Sequence, residues 1–431
     1  MLQNKNQLSA FAEPVLVVSS QISIGLAGLV GIKLLTGVLS PRNFGELSLA
    51  LTVSIFFQHL ATAPLCATIR RFYAANAGTA AVLAIRNIAW LSVRKIVESI
   101  TVLIIGVTLF SIFFFDLRIS VLIGLTGVLA ICSITTECFH AFQVAARNRL
   151  ITAFLGSLKH WLRFLFAAFT ACYANESLAS IFALFGMCAA SLCMMILYRL
   201  FDSKLFKSFP PCTKSDLNEL WLIDMHAYAR PLTYAGACRC LQLLSPRWIL
   251  KAVSGVSSVG LYAVCYQIGH YPMRLMFMAL TEYIMPIFFT EAGNARNKNK
   301  LCTTNGKMLL TTTAVAAVSL ICFIITLCFH QPIFRLLTSN DYIAASYLLP
   351  IITASTGISC VSESLALSFL TNKSPQKLTL IRVSVAFISV FLYMVGATIA
   401  GLPGLLYADL VQAILFFLLM CCMYRLHIYK P

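Results

Sequence analysis

The chain has 431 residues, of which 59% are hydrophobic and 11% charged, and its 32 lysines and arginines against 15 carboxylates give a formal charge of +17. Soluble domains are less apolar and about twice as charged, so with a mean hydropathy of +0.86 this composition excludes a soluble protein and calls for an all-α polytopic membrane protein. Such a basic balance would suggest nucleic acid in a soluble chain; here it is shared among loops, reads as topology, and implies no nucleic-acid partner. The 16 cysteines are scattered through apolar runs. Without Cys/His spacing for zinc, they read as small buried hydrophobes, and no metal or cofactor is expected.

The N-terminal MLQNKNQLSAFAEP is polar and shows no short cleavable signal. The apolar run that follows, from Pro14, is long enough to stay in a bilayer. At about 20 residues per span, helices are expected near 14–37, 45–68, 96–115, 119–145, 150–172, 178–198, 231–250, 257–289, 308–329, 342–371, 378–398 and 402–424, six in each half. Lys33 to Tyr73 reads as a hairpin of two spans, and its plan returns from Arg247 to Phe289: a cation, a short polar turn, a glycine, then a long apolar helix. Gly45 aligns with Gly260, and Lys33 with Arg247. Internal repeats of this kind are typical of transporters.

Between the halves, residues 201–230 form the longest connection. Leu217, Leu220, Trp221, Met225 and Tyr228 recur there at helical spacing after a capping-box-like Thr213-x-x-Asp216, which predicts an interfacial amphipathic helix. Residues 76–95 could form a second surface helix. The expected domains are therefore an N-terminal six-helix lobe at 1–200, a linker at 201–230 and a C-terminal lobe at 231–431.

Alternate loops differ in charge. One set carries Arg70, Arg71, Arg86, Arg94, Lys95, Arg147, Arg149, Arg199, Lys204, Lys207, Lys214, Arg296, Lys298, Lys300, Lys307, Lys373, Lys377, Arg425 and Lys430; the other has Arg42, Arg118, Lys251 and Arg335, at most one per loop. The positive-inside rule then puts both termini in the cytoplasm. An even number of spans per half makes the two lobes parallel, related by an axis along the membrane normal.

The cation-bearing first helix, the LSPRNFGELSLA turn and the IRRFYA exit resemble the oligosaccharide-repeat (O-antigen/polysaccharide) flippases of the multidrug/oligosaccharidyl-lipid/polysaccharide exporter superfamily. That resemblance implies about twelve transmembrane helices in two parallel six-helix lobes around a central cleft, opening alternately to either side of the bacterial inner membrane. It implies a substrate too: an oligosaccharide repeat on undecaprenyl pyrophosphate, used for lipopolysaccharide O-antigen, capsule or exopolysaccharide. Membrane lipids and the polysaccharide polymerase machinery are the accompanying partners, and a proton or sodium gradient is the expected energy source. In related exporters the first two helices of each lobe line the cleft, which here carry Lys33, Gln58, His59, Arg239, Arg247, His270 and Arg274.

A charge in hydrocarbon costs roughly 2.5–3.5 kcal/mol on insertion scales, so deep ions are functional candidates. Lys159 and Arg163 share one face near the middle of helix five; they either line the cavity or pair with a carboxylate such as Glu137 or Glu363. Gln267, His270 and Arg274 form a polar stripe on helix eight, with Glu282 two turns on. Either Arg274 or Arg239 pairs with Glu282, or these cations meet substrate. Lys33 and Arg247 lie near helix ends, where snorkelling is easy. The expected substrate contacts are thus Lys159, Arg163, Arg239, Arg274, Lys33 and Arg247, with Glu363, Glu282 and His270 as coupling groups. His59, His140 and His160 are either proton carriers or packing residues. Thr353, Ser355, Ser359 and Ser362 give helix ten a polar side beside Glu363.

Three functions compete. A glycan polymerase or ligase would need a sizeable extracytoplasmic loop and a compact catalytic constellation, and neither is present in the sequence; no enzyme is expected. A multidrug exporter would share the fold, but organic cations call for buried carboxylates, whereas the deep charges here are mainly Lys and Arg. An anionic lipid-linked glycan fits that sign.

Overall fold

The computed structural model describes residues 2–76, 81–114, 116–206, 219–278, 280, 298–371 and 375–429. Among them there is no strand. The helices are α1 (Leu2–Val38), α2 (Pro41–Phe57), α3 (Ala63–Ala75), α4 (Ala81–Phe114), α5 (Leu117–Ala145), α6 (Arg149–Cys172), α7 (Ala179–Phe206), α8 (Glu219–Ser254), α9 (Val256–Gly269), α10 (271–278), α11 (Lys298–Leu337), α12 (Leu349–Thr371) and α13 (Pro375–Tyr429). The fold is that of an all-α polytopic membrane protein.

Among the described residues eight helical stretches are long and apolar enough to cross a bilayer. The last, Ile381–Tyr424, has 44 residues, about 66 Å of helix against a hydrocarbon core of about 30 Å. It reverses at Ala400 and Gly401 and so supplies two passes. The other expected spans fall on α6, on the second part of α8 and on α9 with α10, where charges or a helix break lower the hydropathy or shorten the helix. Residues 281–289 of the eighth span lie outside the described residues.

Alternate turns along the chain are very short. Ser40 precedes Pro41 in an extended conformation, and proline is tolerated there because the first N–H of a helix needs no partner. Gly255 and Gly401 turn with φ of 83° and 62°, a region where a Cβ is strained. At the opposite end, α5 stops in a Schellman motif: the Asn148 N–H reaches the Gln143 carbonyl at 3.1 Å and the Arg147 N–H that of Val144 at 3.1 Å. The left-handed residue of this motif is Arg147 (φ 57°), the only non-glycine with positive φ among the described residues; glycine normally takes that place, and an L-residue there costs about 1–2 kcal/mol.

Three helices differ from expectation in continuity. The second span contains a π-turn at Gln58–Thr62, because Pro64 has no N–H to offer the carbonyl four residues back. α4 is one helix of 34 residues, joining the expected surface helix to the third span. α8 likewise runs unbroken through Pro231, joining the linker helix to the seventh span; proline removes one hydrogen bond and kinks a helix without always ending it. Thr213, Asp216 and Leu217 lie outside the described residues.

Two compact units divide the chain, Met1–Cys240 and Leu241–Pro431. In the first, α6 packs against α1 and α7, and α5 against α3, α4 and α7. Leu65, Ile69 and Tyr73 of α3, Val82, Ala89 and Val93 of α4, and Cys138, Ala141 and Phe142 of α5 form its core. Met225 of α8 is buried beside Ile85 and Ile88, and the Arg71 guanidinium lies 4.4 Å from the Tyr228 ring, so the start of α8 is anchored on α3 and α4. In the second unit, α12 packs against α9, α11 and α13.

Candidate substrate and coupling site

Each unit holds its own cluster of polar groups in the spans. In the first, Lys159 lies in the middle of α6 and its Nζ donates to Glu137 Oε1 of α5 at 2.5 Å. Both side chains are partly buried, at 19% and 35% exposure. One turn along α5, His140 Nδ1 meets the Tyr198 hydroxyl of α7 at 3.0 Å; the i, i+3 spacing puts Glu137 and His140 on one face. Pairing explains how α6 tolerates a mid-helix lysine, since mutual attraction offsets the desolvation each charge suffers.

The second cluster is longer. Tyr262, Tyr266, His270 and Arg274 recur every four residues along α9 and α10. Pro272 interrupts the helix there, but the His270 N–H to Tyr266 carbonyl and Arg274 N–H to His270 carbonyl bonds, both 2.9 Å, keep the stripe in register. Arg247 sits at its head, with its guanidinium 5.8 and 5.4 Å from the Tyr262 and Tyr266 rings. Tyr266 stacks on His270 with centroids 4.2 Å apart. Facing the stripe, α12 accepts Arg274 Nη1 on Glu363 Oε2 at 2.7 Å and places Thr356 Oγ1 3.0 Å from His270 Nδ1. Behind α12, Asp409 accepts hydrogen bonds from Ser355 (2.5 Å) and Tyr393 (2.8 Å).

A third cluster braces the short-turn side of the first unit. Arg118 donates to Glu46 Oε2 at 2.6 Å and to Asn43 Oδ1 at 3.2 Å, while Ser180 donates to Glu46 at 2.7 Å. Asn43 also donates to the Glu176 carbonyl at 2.7 Å. Asn43 and Glu46 belong to the LSPRNFGELSLA turn, whose polar residues tie the starts of α2, α5 and α7 together.

Among the expected site residues, Lys159 pairs with Glu137, one of the two carboxylates considered for it. Among the described residues Arg274 pairs with Glu363, where α10 faces α12; Glu282, the partner considered for it, lies outside the described residues. Glu363, expected as a coupling group or as the partner of a deep cation, is held by Arg274. His270, Arg274, Arg247 and Glu363 come together in the second cluster. Arg163 lies one turn beyond Lys159, within electrostatic reach of His160, and Arg239 within reach of His59. Lys33 is exposed on α1.

Sequence reasoning missed Asp409. The signal was there, a lone carboxylate in the apolar run 402–424, but attention to the basic excess passed over it. It also missed the buried Arg86–Asp202 pair, 2.8 Å apart, between α4 and α7.

No protein-family model matches the sequence, and no curated protein sequence matches it. Solved structures do match in fold. An inward-facing multidrug resistance MATE family transporter of the MOP superfamily aligns over 97% of this chain and 100% of its own, with 15% identity and a TM-score of 0.64. The fold is that of the MOP transporters. The lipid II flippase MurJ in an inward closed conformation aligns over 96% of this chain and 87% of its own, at 11% identity and a TM-score of 0.64. A MOP superfamily transporter from Pyrococcus furiosus, described as having a reversed binding-pocket polarity that suggests a different function, aligns over 96% and 94% with 14% identity and a TM-score of 0.54. At these identities the likeness carries the fold alone.

Proposed function

We propose that this protein is a flippase that carries an undecaprenyl-pyrophosphate-linked oligosaccharide across the bacterial inner membrane by alternating access. Both termini are cytoplasmic, residues 1–200 and 231–431 form parallel lobes, and the product feeds O-antigen, capsule or exopolysaccharide assembly beside a polysaccharide polymerase. The observation that carries the reading is the sign of the deep charges. Within the described spans Lys33, Lys159, Arg163, Arg239, Arg247, Arg274 and Arg382 outnumber Glu46, Glu98, Glu137, Glu363 and Asp409, and a pyrophosphate matches that basic balance. The very short turns on one side support transport over polymerisation, for they leave no loop to hold a catalytic constellation.

In this reading the carboxylates stand in for the substrate. Glu137 masks Lys159 and Glu363 masks Arg274; an arriving pyrophosphate competes with each carboxylate for its cation, and a proton or sodium ion taken up by the released carboxylate couples the gradient to transport. Binding then changes which helices are tied together, the kind of differential contact that shifts a conformational equilibrium.

Multidrug export is the second reading, favoured by Asp409 with its Ser355 and Tyr393 donors and by the MATE likeness. The basic excess of this chain's described spans argues for an anion instead. Deletion of the gene separates the two: the flippase reading expects a lipid-linked oligosaccharide to accumulate on the cytoplasmic leaflet with unchanged drug tolerance. Increased sensitivity to cationic drugs with no such accumulation would establish the exporter instead. Reporter fusions after Gly78 and Lys300 are expected to read cytoplasm, and those at Asn340 and Gly401 periplasm.

A further inference from the structure

Lys159 and Glu137 neutralise each other, but a third ionisable side chain shares their surroundings. His140 lies one turn after Glu137 on the same face of α5. Its imidazole is held between two other helices: Nδ1 is 3.0 Å from the Tyr198 hydroxyl of α7, and Cε1 is 3.7 Å from where a Cβ would stand on Gly156 of α6, so the ring lies against the α6 backbone.

Tyr198 is 1% exposed, and its hydroxyl has no other hydrogen-bond partner among the described residues. A buried phenol without an alternative acceptor donates to Nδ1, which leaves the hydrogen of the neutral imidazole on Nε2. That nitrogen makes no hydrogen bond among the described residues, and the side chain is half-buried.

The helices packed around the ring differ in what they present. Glu137 attracts a proton to it, whereas Lys159 of α6 and Arg70 of α3 repel one. On α4, Arg86 is held by Asp202 of α7, and Trp90 is an apolar neighbour with its centroid 4.5 Å from that of Phe139. While Lys159 and Glu137 are paired their fields largely cancel at the ring, and Arg70 opposes a further positive charge. Withdrawing Lys159 reverses the balance, because a bare carboxylate then stands one turn away. His160 is less suited to answer it, since Lys159 and Arg163 flank it on its own helix and both repel a proton.

We propose that His140 is the proton carrier of the first unit: when an anion draws Lys159 away from Glu137, the ring gains a proton from solvent at Nδ1, and the imidazolium replaces Lys159 as the cation facing the carboxylate. Glu137 stays ionised throughout. The Tyr198 hydroxyl turns from donor to acceptor, so the change of charge on α5 is felt on α7. One positive charge enters the cluster as another is drawn off, which spares Glu137 the cost of standing unpaired. The trigger rests on the flippase reading, in which the anion is a pyrophosphate; the proton site itself does not, because any loss of Lys159 from the pair loads His140.

The chain has seven histidines, few enough for ring-nitrogen solid-state NMR of the full chain in liposomes with isotope-labelled histidine. Neutral tautomers and the imidazolium give separate signals there, and His140→Gln identifies those of His140. In wild type the neutral ring is expected to carry its hydrogen on Nε2. Lys159→Met is expected to raise the pH at which half the ring is charged by about 1–2 pH units, and Lys159→Met/Glu137→Gln to return it to the wild-type value. Lys159→Gln gives the same reading should the methionine variant not fold. Farnesyl diphosphate added to wild type is expected to charge the ring as Lys159→Met does. A ring that answers the Lys159 substitutions but not farnesyl diphosphate supports the proton site and contradicts the anion exchange of the flippase reading. A wild-type ring with its hydrogen on Nδ1, a midpoint unmoved in the Lys159 variants, or one raised equally when Glu137 is also replaced, would overturn the proposal.

Discussion

Glu137 and Glu363 occupy corresponding places, each on the fourth expected span of its half and each eight residues before the last residue of its helix, Ala145 and Thr371. Their cations arrive differently. Lys159 lies 22 residues after Glu137, on the next helix of a tight hairpin, whereas Arg274 lies 89 residues before Glu363, on a segment interrupted at Pro272. One pair is therefore a local clasp within α5 and α6, and the other a long-range tie between α10 and α12. The chemistry follows the task. A lysine is a point charge on a flexible stem that can let go of its partner easily, while an arginine presents a planar fork and here also lies 5.5 Å from the Phe277 ring. Opening the first pair disturbs one hairpin; opening the second frees a broken helix to move.

The largest effect should come from breaking the clasp on one side only. Lys159→Met leaves Glu137 as an uncompensated charge and should lower stability by about 3–5 kcal/mol, with most of the loss recovered in Lys159→Met/Glu137→Met. Unfolding of the three variants in detergent measures this; no recovery in the double variant would show that the pair is not the contact at stake. Less severe is the loss of the Arg118 brace. Glu46→Gln removes a charge-assisted acceptor from Arg118 and should cost about 1.5–3 kcal/mol in the same assay, and an unchanged melting temperature would discount the brace.

Exchanging the two cations sharpens the contrast between the units. Arg274→Lys should cost about 1–2 kcal/mol because the ring contact and fork are lost, while Lys159→Arg should cost less than Arg274→Lys in transport, the lysine site needing only a charge. Equal tolerance at both positions would erase the distinction drawn between clasp and tie. Smallest is Tyr393→Phe, which removes one of the two donors to Asp409 and should cost about 0.5–1.5 kcal/mol; a loss of transport far beyond that destabilisation would make Asp409 a working group rather than a packing one.

The spans were legible in the sequence because hydropathy acts locally: among the described residues each expected span falls on helix, and even the charge-bearing α6 was placed correctly. Which ions meet was not legible, since partner choice depends on which helices adjoin at a given depth. Glu137 was available to Lys159 by chain proximity and could be named. Glu363 was not assigned to Arg274, because Glu282 is nearer in sequence and nothing local shows that α10 faces α12. The boundary expected at 231 is not one, since α8 continues through Pro231, and the second span, expected as continuous, contains a π-turn before Pro64.

The central claim is that paired cations in the spans receive the substrate's pyrophosphate in exchange for their carboxylates. Its most direct test is the affinity of purified protein for undecaprenyl diphosphate. Glu137→Gln and Glu363→Gln, which unmask the cations, should bind about tenfold more tightly, roughly 1.4 kcal/mol, and Lys159→Met and Arg274→Met should bind more weakly. Affinity unchanged by all four substitutions, in protein that remains folded, would contradict the account.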